Sequence, residues 1–218
     1  MKKEESVVGN AEPTSAKAKR ASSKAKCASA KAKRASAKGC AAGRSGAFEQ
    51  SECASSKGER ARHNIAPVFD GNSRTLILGS FPSVASRESG FYYGHKHNRF
   101  WQVLAAVYGE KVPASIDEKR RFLLRNEIAL WDVIADCRIV GSSDSSITDM
   151  HINNVQGLLS KARVSRIFAN GATAKRLYDE HLFPLVGIEA VRLPSTSPAN
   201  AAFGLDRLIE CWRAVRPD

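Results

Sequence analysis

The chain is 218 residues long, 43% of them hydrophobic, and carries a formal net charge of +12. The excess of basic residues favours a polyanionic partner, either nucleic acid or an anionic membrane surface. No apolar segment approaches the roughly 20 residues needed to cross a bilayer, and the N-terminus lacks the apolar centre of a secretory signal. We therefore expect a cytoplasmic, nucleoid-associated protein that does not enter the membrane.

Residues 1–60 form a compositionally distinct segment, with 14 basic and 6 acidic side chains and Phe48 as the only aromatic residue. A seven-residue repeat of basic residues, Ala and Ser runs from Lys17 to Lys38, but Ala and Ser cannot form the apolar seam of a coiled coil. High charge and low hydrophobicity predict a disordered basic tail. Its composition is similar to the tails of linker histones and bacterial histone-like proteins. This similarity favours sequence-independent DNA binding over a solubilising extension.

Residues 61–218 contain enough large apolar side chains for one domain, and their patterns alternate between strand and helix. We predict strands at Arg74–Leu78, Ile128–Ile134, Val164–Ala169 and Glu189–Leu193. We predict helices at Asn98–Tyr108, from Ser115 to about Asn126, at about 153–162, at Ala172–His181 and at Ala202–Val215. This alternation indicates an α/β fold, namely a three-layer α/β/α sandwich around a central, mainly parallel four-stranded sheet.

The loops that follow the strands carry the residues suited to chemistry, as expected for a parallel sheet. The loop from Gly79 to Trp101 combines glycines and serines with aromatic, histidine and arginine side chains. Aromatic residues beside basic and amide groups suit stacking on a nucleobase and contact with its edge. Asn170-Gly171 follows the third strand, and the hydroxyl-rich segment 194–200 follows the fourth.

These segments together resemble a known family. The sequence GSFPS at 79–83 resembles the first motif of the uracil-DNA glycosylase superfamily, and STSPAN at 195–200 resembles its second motif. With FYYGHKHNRFW, LWDV and ANG between them, the chain after about Ala66 looks most like the hypoxanthine (deoxyinosine) DNA glycosylase branch. The resemblance implies a base-excision-repair enzyme that flips out a deaminated base and hydrolyses its N-glycosidic bond. Hypoxanthine is the expected substrate, with uracil and xanthine as further candidates.

The resemblance also implies roles for individual residues. Asn98 and Asn170 are the implied catalytic amides. The superfamily commonly has Asp or Asn at the position of Phe81, to handle the attacking water. Its uracil-specific members end the second strand in an amide, where this chain has Trp131-Asp132. Base-binding residues are expected at Gly79, Ser80, Phe81, Phe91, Tyr92, His95 and Asp132. DNA-binding residues are expected at Pro82, Ser83, Ser86, Arg87, Ser195, Thr196, Ser197, Pro198 and Asn200.

Alternatives remain for both the residues and the function. Asn98 also fits an ordinary helix cap, and Asn170-Gly171 fits an ordinary turn. A histone-like DNA-binding module that recognises lesions without catalysis would explain the basic tail, and an enzyme acting on free nucleosides would explain the loops. We expect a monofunctional hydrolase with no cofactor and no metal, acting as a monomer on double-stranded DNA, with single-stranded DNA as a further candidate substrate.

Overall fold

The computed structural model describes residues 58–217, and the predicted basic tail therefore lies almost entirely outside the described residues. The strands are β1 (Glu59–Arg62), β2 (Thr75–Gly79), β3 (Ile128–Asp132), β4 (Ile134–Ile139), β5 (Thr148–Ile152), β6 (Arg166–Asn170) and β7 (Ala190–Leu193). The helices are α1 (Val84–Ser89), α2 (Phe100–Tyr108), α3 (Ile116–Arg125), α4 (Val155–Leu159), α5 (Ala172–Leu177), α6 (Phe183–Val186) and α7 (Leu205–Trp212).

A parallel four-stranded sheet in the order β3-β2-β6-β7 forms the centre of the part that the structure describes. Strand β2 lies in the middle, and all five of its residues are buried. The registers pair Gly79 with Asp132 across β2 and β3, and Asn170 with Leu193 across β6 and β7. The carboxyl ends of the four strands therefore meet at one edge, as the sequence predicted.

Each face of this sheet carries its own hydrophobic cluster, because side chains alternate between the two faces of a strand. On one face Ile77 packs with residues of α2, α3 and α7, including the fully buried Trp212. On the other face Leu76 and Leu78 pack with residues of α4 and α5. The predicted three-layer α/β/α arrangement is confirmed.

A second sheet was not predicted. Strands β1, β4 and β5 form an antiparallel sheet in the order β1-β4-β5 within residues 58–217. The predicted strand Ile128–Ile134 ends at Asp132, and the chain then passes through Val133 into β4 of the second sheet. The expected boundary between residues 60 and 61 falls inside β1. Strands β1 and β5 are largely polar and exposed, so they lack the apolar pattern on which the prediction depended.

Candidate functional site

The edge where the parallel strands end brings together side chains from three different loops. Gly79 ends β2, and a Cβ atom at this position would overlap Asp132 Oδ1 and would lie 3.2 Å from the Tyr93 hydroxyl. Only a glycine therefore allows Asp132 and Tyr93 to approach the end of β2 so closely. This close approach explains the glycine in the first motif in terms of space.

Asp132 is held by a histidine that the sequence analysis did not single out. His63 Nε2 lies 2.9 Å from Asp132 Oδ2, and the two side chains are 2% and 5% exposed. His63 Nδ1 accepts a hydrogen bond from the backbone N–H of Ile65 at 3.3 Å. The imidazole proton therefore lies on Nε2 and is donated to the carboxylate. His63 precedes the first predicted strand, in a segment without a recognisable motif.

Tyr93 is the aromatic residue of the first loop that reaches this edge. Its φ of 54° is unusual for a residue other than glycine. Its ring stacks on Phe100 with the centroids 3.8 Å apart. The buried hydroxyl has no hydrogen-bond partner among residues 58–217. Burial and the nearby negative charge of Asp132 raise the pKa of Tyr93, so its hydroxyl stays protonated.

Phe91 and Tyr92 do not occupy the positions expected for residues that stack on a base. They are only 1% and 2% exposed and belong to the hydrophobic core. Phe91 stacks on Trp101, and the Tyr92 hydroxyl donates to the Ala66 carbonyl at 3.1 Å. Their faces are occupied by the protein, which contradicts the expected stacking role.

Asn98 lies immediately before α2. Its Oδ1 accepts a hydrogen bond from the backbone N–H of Phe100 at 3.0 Å, although the residue at the helix cap is Arg99. Asn98 Nδ2 makes no hydrogen bond to any of the residues that the structure describes. The oxygen thus has a structural role, while the amide nitrogen remains available to a ligand. His95, in the same loop, is exposed and contacts His97.

Asn170 joins the end of β6 to the loop that follows β7. Its Nδ2 donates to Thr196 Oγ1, and its Oδ1 accepts from Thr196 N, both at 3.0 Å. Thr196 is fully buried, which contradicts its expected contact with DNA. The Tyr93 hydroxyl lies near Asn170 but forms no well-aligned hydrogen bond with it, because the amide is oriented toward Thr196. Gly171, at φ 103°, is close to Ser195, so a side chain would be disfavoured there.

Arg99 fixes the loop after β7, a role that the sequence analysis did not assign. Its backbone N–H donates to the Thr196 carbonyl at 3.1 Å. Its guanidinium donates to the carbonyl oxygens of Ser197 at 2.8 Å and Asn200 at 3.0 Å, and also to that of Phe203. One side chain therefore ties the start of α2, next to Asn98, to the whole 196–203 loop.

The remaining polar residues of this loop mostly stabilise its own conformation. Ser195 Oγ accepts from the backbone N–H of Ser197 at 3.2 Å, and Asn200 Nδ2 donates to the Ser195 carbonyl at 2.9 Å. Pro198 and Ala199 are exposed at the tip. The loop is therefore held by its own hydrogen bonds, with Pro198 and Ala199 left exposed.

The first motif is tied to the second sheet through Ser80. Ser80 Oγ lies 2.9 Å from both carboxylate oxygens of Asp144, in the connection between β4 and β5. Asp144 is an exposed residue, but partial desolvation of its carboxylate raises its pKa, an effect that the Ser80 hydrogen bond opposes. Asp144 was not predicted, because it lies in a short polar turn.

The other residues of the first motif support the loop. Phe81 is 8% exposed, and the Arg87 guanidinium lies over its ring at 5.3 Å. Ser83 caps α1. Pro82 and Ser86 are buried, which contradicts their expected contacts with DNA.

Two surface depressions occur in the described part of the chain, and neither is lined by Asn98, Asp132 or Asn170. Among residues 58–217 there is no cluster of three or more His, Cys, Asp or Glu side chains that could bind a metal ion. None of the helices in this range is long and apolar enough to span a bilayer.

Known proteins resemble this chain in sequence and in fold. A model of the uracil DNA glycosylase superfamily matches residues 66–216. A hypoxanthine DNA glycosylase of Methanosarcina acetivorans is 39% identical over 156 residues, which cover 71% of this chain and 97% of that protein. A hypoxanthine DNA glycosylase of Methanosarcina barkeri is 35% identical over 142 residues, covering 64% and 88%. A candidate uracil DNA glycosylase from Methanosarcina acetivorans, solved by solution NMR, is 36% identical with a TM-score of 0.62, covering 71% of this chain and 95% of its own.

Proposed function

Because the chain belongs to the uracil DNA glycosylase superfamily, we propose that it is a DNA glycosylase that releases deaminated bases, with hypoxanthine as its main substrate. Two relatives with the name hypoxanthine DNA glycosylase, at 39% and 35% identity, support this substrate. The products are the free base and an abasic site.

One observation carries the proposal: the side chain of Asn170 and the backbone next to Asn98 are bonded to the same buried residue. Asn170 holds Thr196 through two hydrogen bonds at 3.0 Å. Arg99, the neighbour of Asn98, donates its backbone N–H to the Thr196 carbonyl. Thr196 therefore links the segment that carries Asn98 to the side chain of Asn170. Such preorganisation lowers the barrier of a reaction in which charge develops at a defined point.

The chemistry requires a flipped nucleotide, because the bond between C1′ and the base is shielded inside the duplex. As this bond breaks, its electron pair leaves with the base and positive charge develops on the sugar. Asn98, whose Nδ2 is available, positions the attacking water or holds the edge of the base. Asn170 contributes its second amide hydrogen to the departing base.

Base recognition follows from the difference between hypoxanthine and adenine. Hypoxanthine presents a keto oxygen and a ring N–H, whereas adenine presents a donor and an acceptor at these places. Asp132 offers an acceptor for the ring N–H, and the backbone N–H groups of the Gly79–Ser83 loop offer donors for the keto oxygen. A site that pairs these groups rejects adenine, because its own polar groups would be left unpaired.

Contacts with the DNA backbone are assigned to those residues of the two motif loops that are not buried. These are Ser83 and Arg87 in the first loop, and Ser195, Ser197, Pro198 and Asn200 in the second. Pro198, exposed at the tip, is placed to probe the minor groove or the vacated stack. The basic segment 17–44 adds sequence-independent affinity for phosphates.

The experiment is base release from oligonucleotide duplexes that contain hypoxanthine, uracil, xanthine or adenine. Asn98→Asp keeps the oxygen that accepts from Phe100 N but removes the amide donor. Asn170→Ala removes the second amide. We expect losses on the order of 10²- to 10³-fold in both variants. Thr196→Val is the control, since it removes the hydroxyl bonded to Asn170 but keeps the bond to its backbone N–H.

The results distinguish the alternative functions and residue roles. A loss of activity in Thr196→Val as large as in Asn170→Ala would mean that Asn170 only positions the loop and does not act on the base. Release of uracil alone would keep the superfamily reaction but overturn hypoxanthine as the main substrate. Tight DNA binding without release of any base would favour a lesion-binding module.

A further inference from the structure

His63 lies outside residues 66–216, the part of the chain that matches the superfamily. It immediately follows β1, and its backbone N–H donates to the Ala135 carbonyl at 2.7 Å, which extends the pairing of β1 with β4. Strand β4 begins two residues after Asp132. The antiparallel sheet therefore places His63, which precedes the matched residues 66–216, next to Asp132 at the end of β3.

The contact is rigid as well as buried. His63 Nε2 lies 2.9 Å from Asp132 Oδ2, with both side chains 5% exposed or less. The second imidazole nitrogen is engaged by the Ile65 N–H. The ring also packs edge-on against Phe81, with the centroids 6.2 Å apart, and obliquely against Tyr92 at 6.0 Å. His63 therefore has one orientation, in which it donates to Asp132.

The two carboxylate oxygens of Asp132 have different surroundings. Asp132 Oδ2 is occupied by His63, whereas Oδ1 faces Gly79, next to the Tyr93 hydroxyl. Asp132 Oδ1 accepts no hydrogen bond from the residues of the described range, nor is it enclosed among the buried polar atoms without partners. One oxygen is thus held by the protein and the other is available to a ligand.

We propose that His63 is a positioning residue that holds Asp132 with Oδ1 directed at the ring N–H of a deaminated purine. The inference rests on the proposed function. Without the imidazole donor, the buried carboxylate would lose the contact that fixes its rotamer and would rotate. Oδ1 would then no longer be held as an acceptor for the ring N–H, and the distinction between hypoxanthine and adenine would weaken.

The test compares two substitutions of His63 in the full chain. His63→Gln places an amide N–H near the position of Nε2 and keeps the donor, while His63→Leu fills the space without a donor. We expect His63→Leu to lower the single-turnover rate of hypoxanthine release by roughly 10- to 100-fold, the effect of an unpaired buried polar group. We expect His63→Gln to restore most of that loss, with KM little changed in either variant.

Two further variants separate positioning from mere stability. In a double-mutant cycle with Asp132→Asn, the His63→Leu change is expected to have no additional effect, because the two residues act as one unit. Tyr178→Phe removes another buried hydrogen bond, from the Tyr178 hydroxyl to the Ile188 carbonyl at 2.6 Å, remote from the strand ends. It is expected to lower the melting temperature without changing the rate.

A wild-type rate in folded His63→Leu would overturn the inference and leave the proposed function intact. Equal rate losses in the Gln and Leu variants would also overturn it. So would rate losses that simply follow the decrease in melting temperature. Absence of base release by the wild-type chain would overturn the proposed function, and this role of His63 with it. Nitrogen NMR of the wild-type imidazole gives a check without activity: a proton on Nδ1 rather than Nε2 would contradict the geometry on which the inference depends.

Discussion

Substitution of Arg99 by lysine tests whether the loop after β7 must be held in place for DNA to bind. The guanidinium donates to four carbonyl oxygens, those of Ser197, Asn200 and Phe203 and, at 3.4 Å, that of Thr196. A lysine keeps the positive charge, but its single ammonium group cannot reach these acceptors with the geometry of a planar fork. We therefore expect at least one strong contact to remain and the others to be lost.

The magnitude follows from the number of bonds. A hydrogen bond to a charged group contributes about 1.5–3 kcal/mol, and relaxation of the loop recovers part of any loss. A net cost of about 2–3 kcal/mol corresponds to a decrease of roughly 30- to 150-fold in kcat/KM, if DNA binding must order the loop. Asn170 remains attached to Thr196, so we expect the maximal single-turnover rate to change little. The effect should be mainly an increase in the enzyme concentration that gives half of this rate.

The assay is single-turnover base release from a hypoxanthine duplex at increasing enzyme concentration. Arg207→Lys is the matched control, since this exposed arginine lies over the Phe203 ring at 4.6 Å without holding the loop carbonyls. Its half-saturation should stay close to that of the wild type. An Arg99→Lys variant with unchanged half-saturation would refute the view that Arg99 positions the loop for DNA.

Three further predictions concern stability, pH and salt. Tyr93→Phe removes a buried hydroxyl without a partner among the described residues, so it should raise the free energy of unfolding by about 1 kcal/mol, measured by urea denaturation; a decrease would show that the hydroxyl is satisfied. Desolvation raises the pKa of Asp144, so its ionised form disfavours folding above that pKa. Asp144→Asn, which still accepts from Ser80, should therefore melt at a higher temperature than wild type at pH 8. The difference should shrink as the pH falls toward the ordinary value of 3.8; a difference that grows on acidification would contradict this sign. A chain that starts at Gly58 keeps β1 but lacks the ten basic residues between Lys17 and Arg44. Its log–log salt slope for DNA binding should be shallower by up to roughly nine, and an unchanged slope would exclude the tail from phosphate contacts.

Much of the core followed from the sequence because its signals are local. The apolar run before Gly79 predicts the buried strand β2, and alternation of such runs with helical patterns predicts a parallel sheet. Asn170-Gly171 and the 195–200 segment follow strands directly, so their position at the carboxyl edge was predicted together with the sheet. The helix predicted to start at Ser115 does begin there, with Ser115 and Glu118 forming a capping box.

The orientation of the aromatic residues in the first loop could not be predicted from local sequence patterns. Phe91, Tyr92 and Tyr93 are adjacent and chemically similar, and only the first two were predicted to bind the base. The positive φ of Tyr93 turns its side chain away from the path of its neighbours, and its ring packs on Phe100 at the strand ends. Backbone conformation at one residue therefore decides which ring enters the core and which reaches the site.

The sequence by itself determined the central sheet and the loops that leave it, because hydrophobic periodicity and turn residues act over a few positions. Only the tertiary structure decided which groups complete the site. His63 reaches Asp132 across 69 positions, and Ser80 reaches Asp144 across 64. Both contacts depend on the antiparallel sheet, whose polar edge strands have no pattern of their own. A hydrogen bond between such distant positions is fixed by how the two sheets pack, and no local preference specifies it.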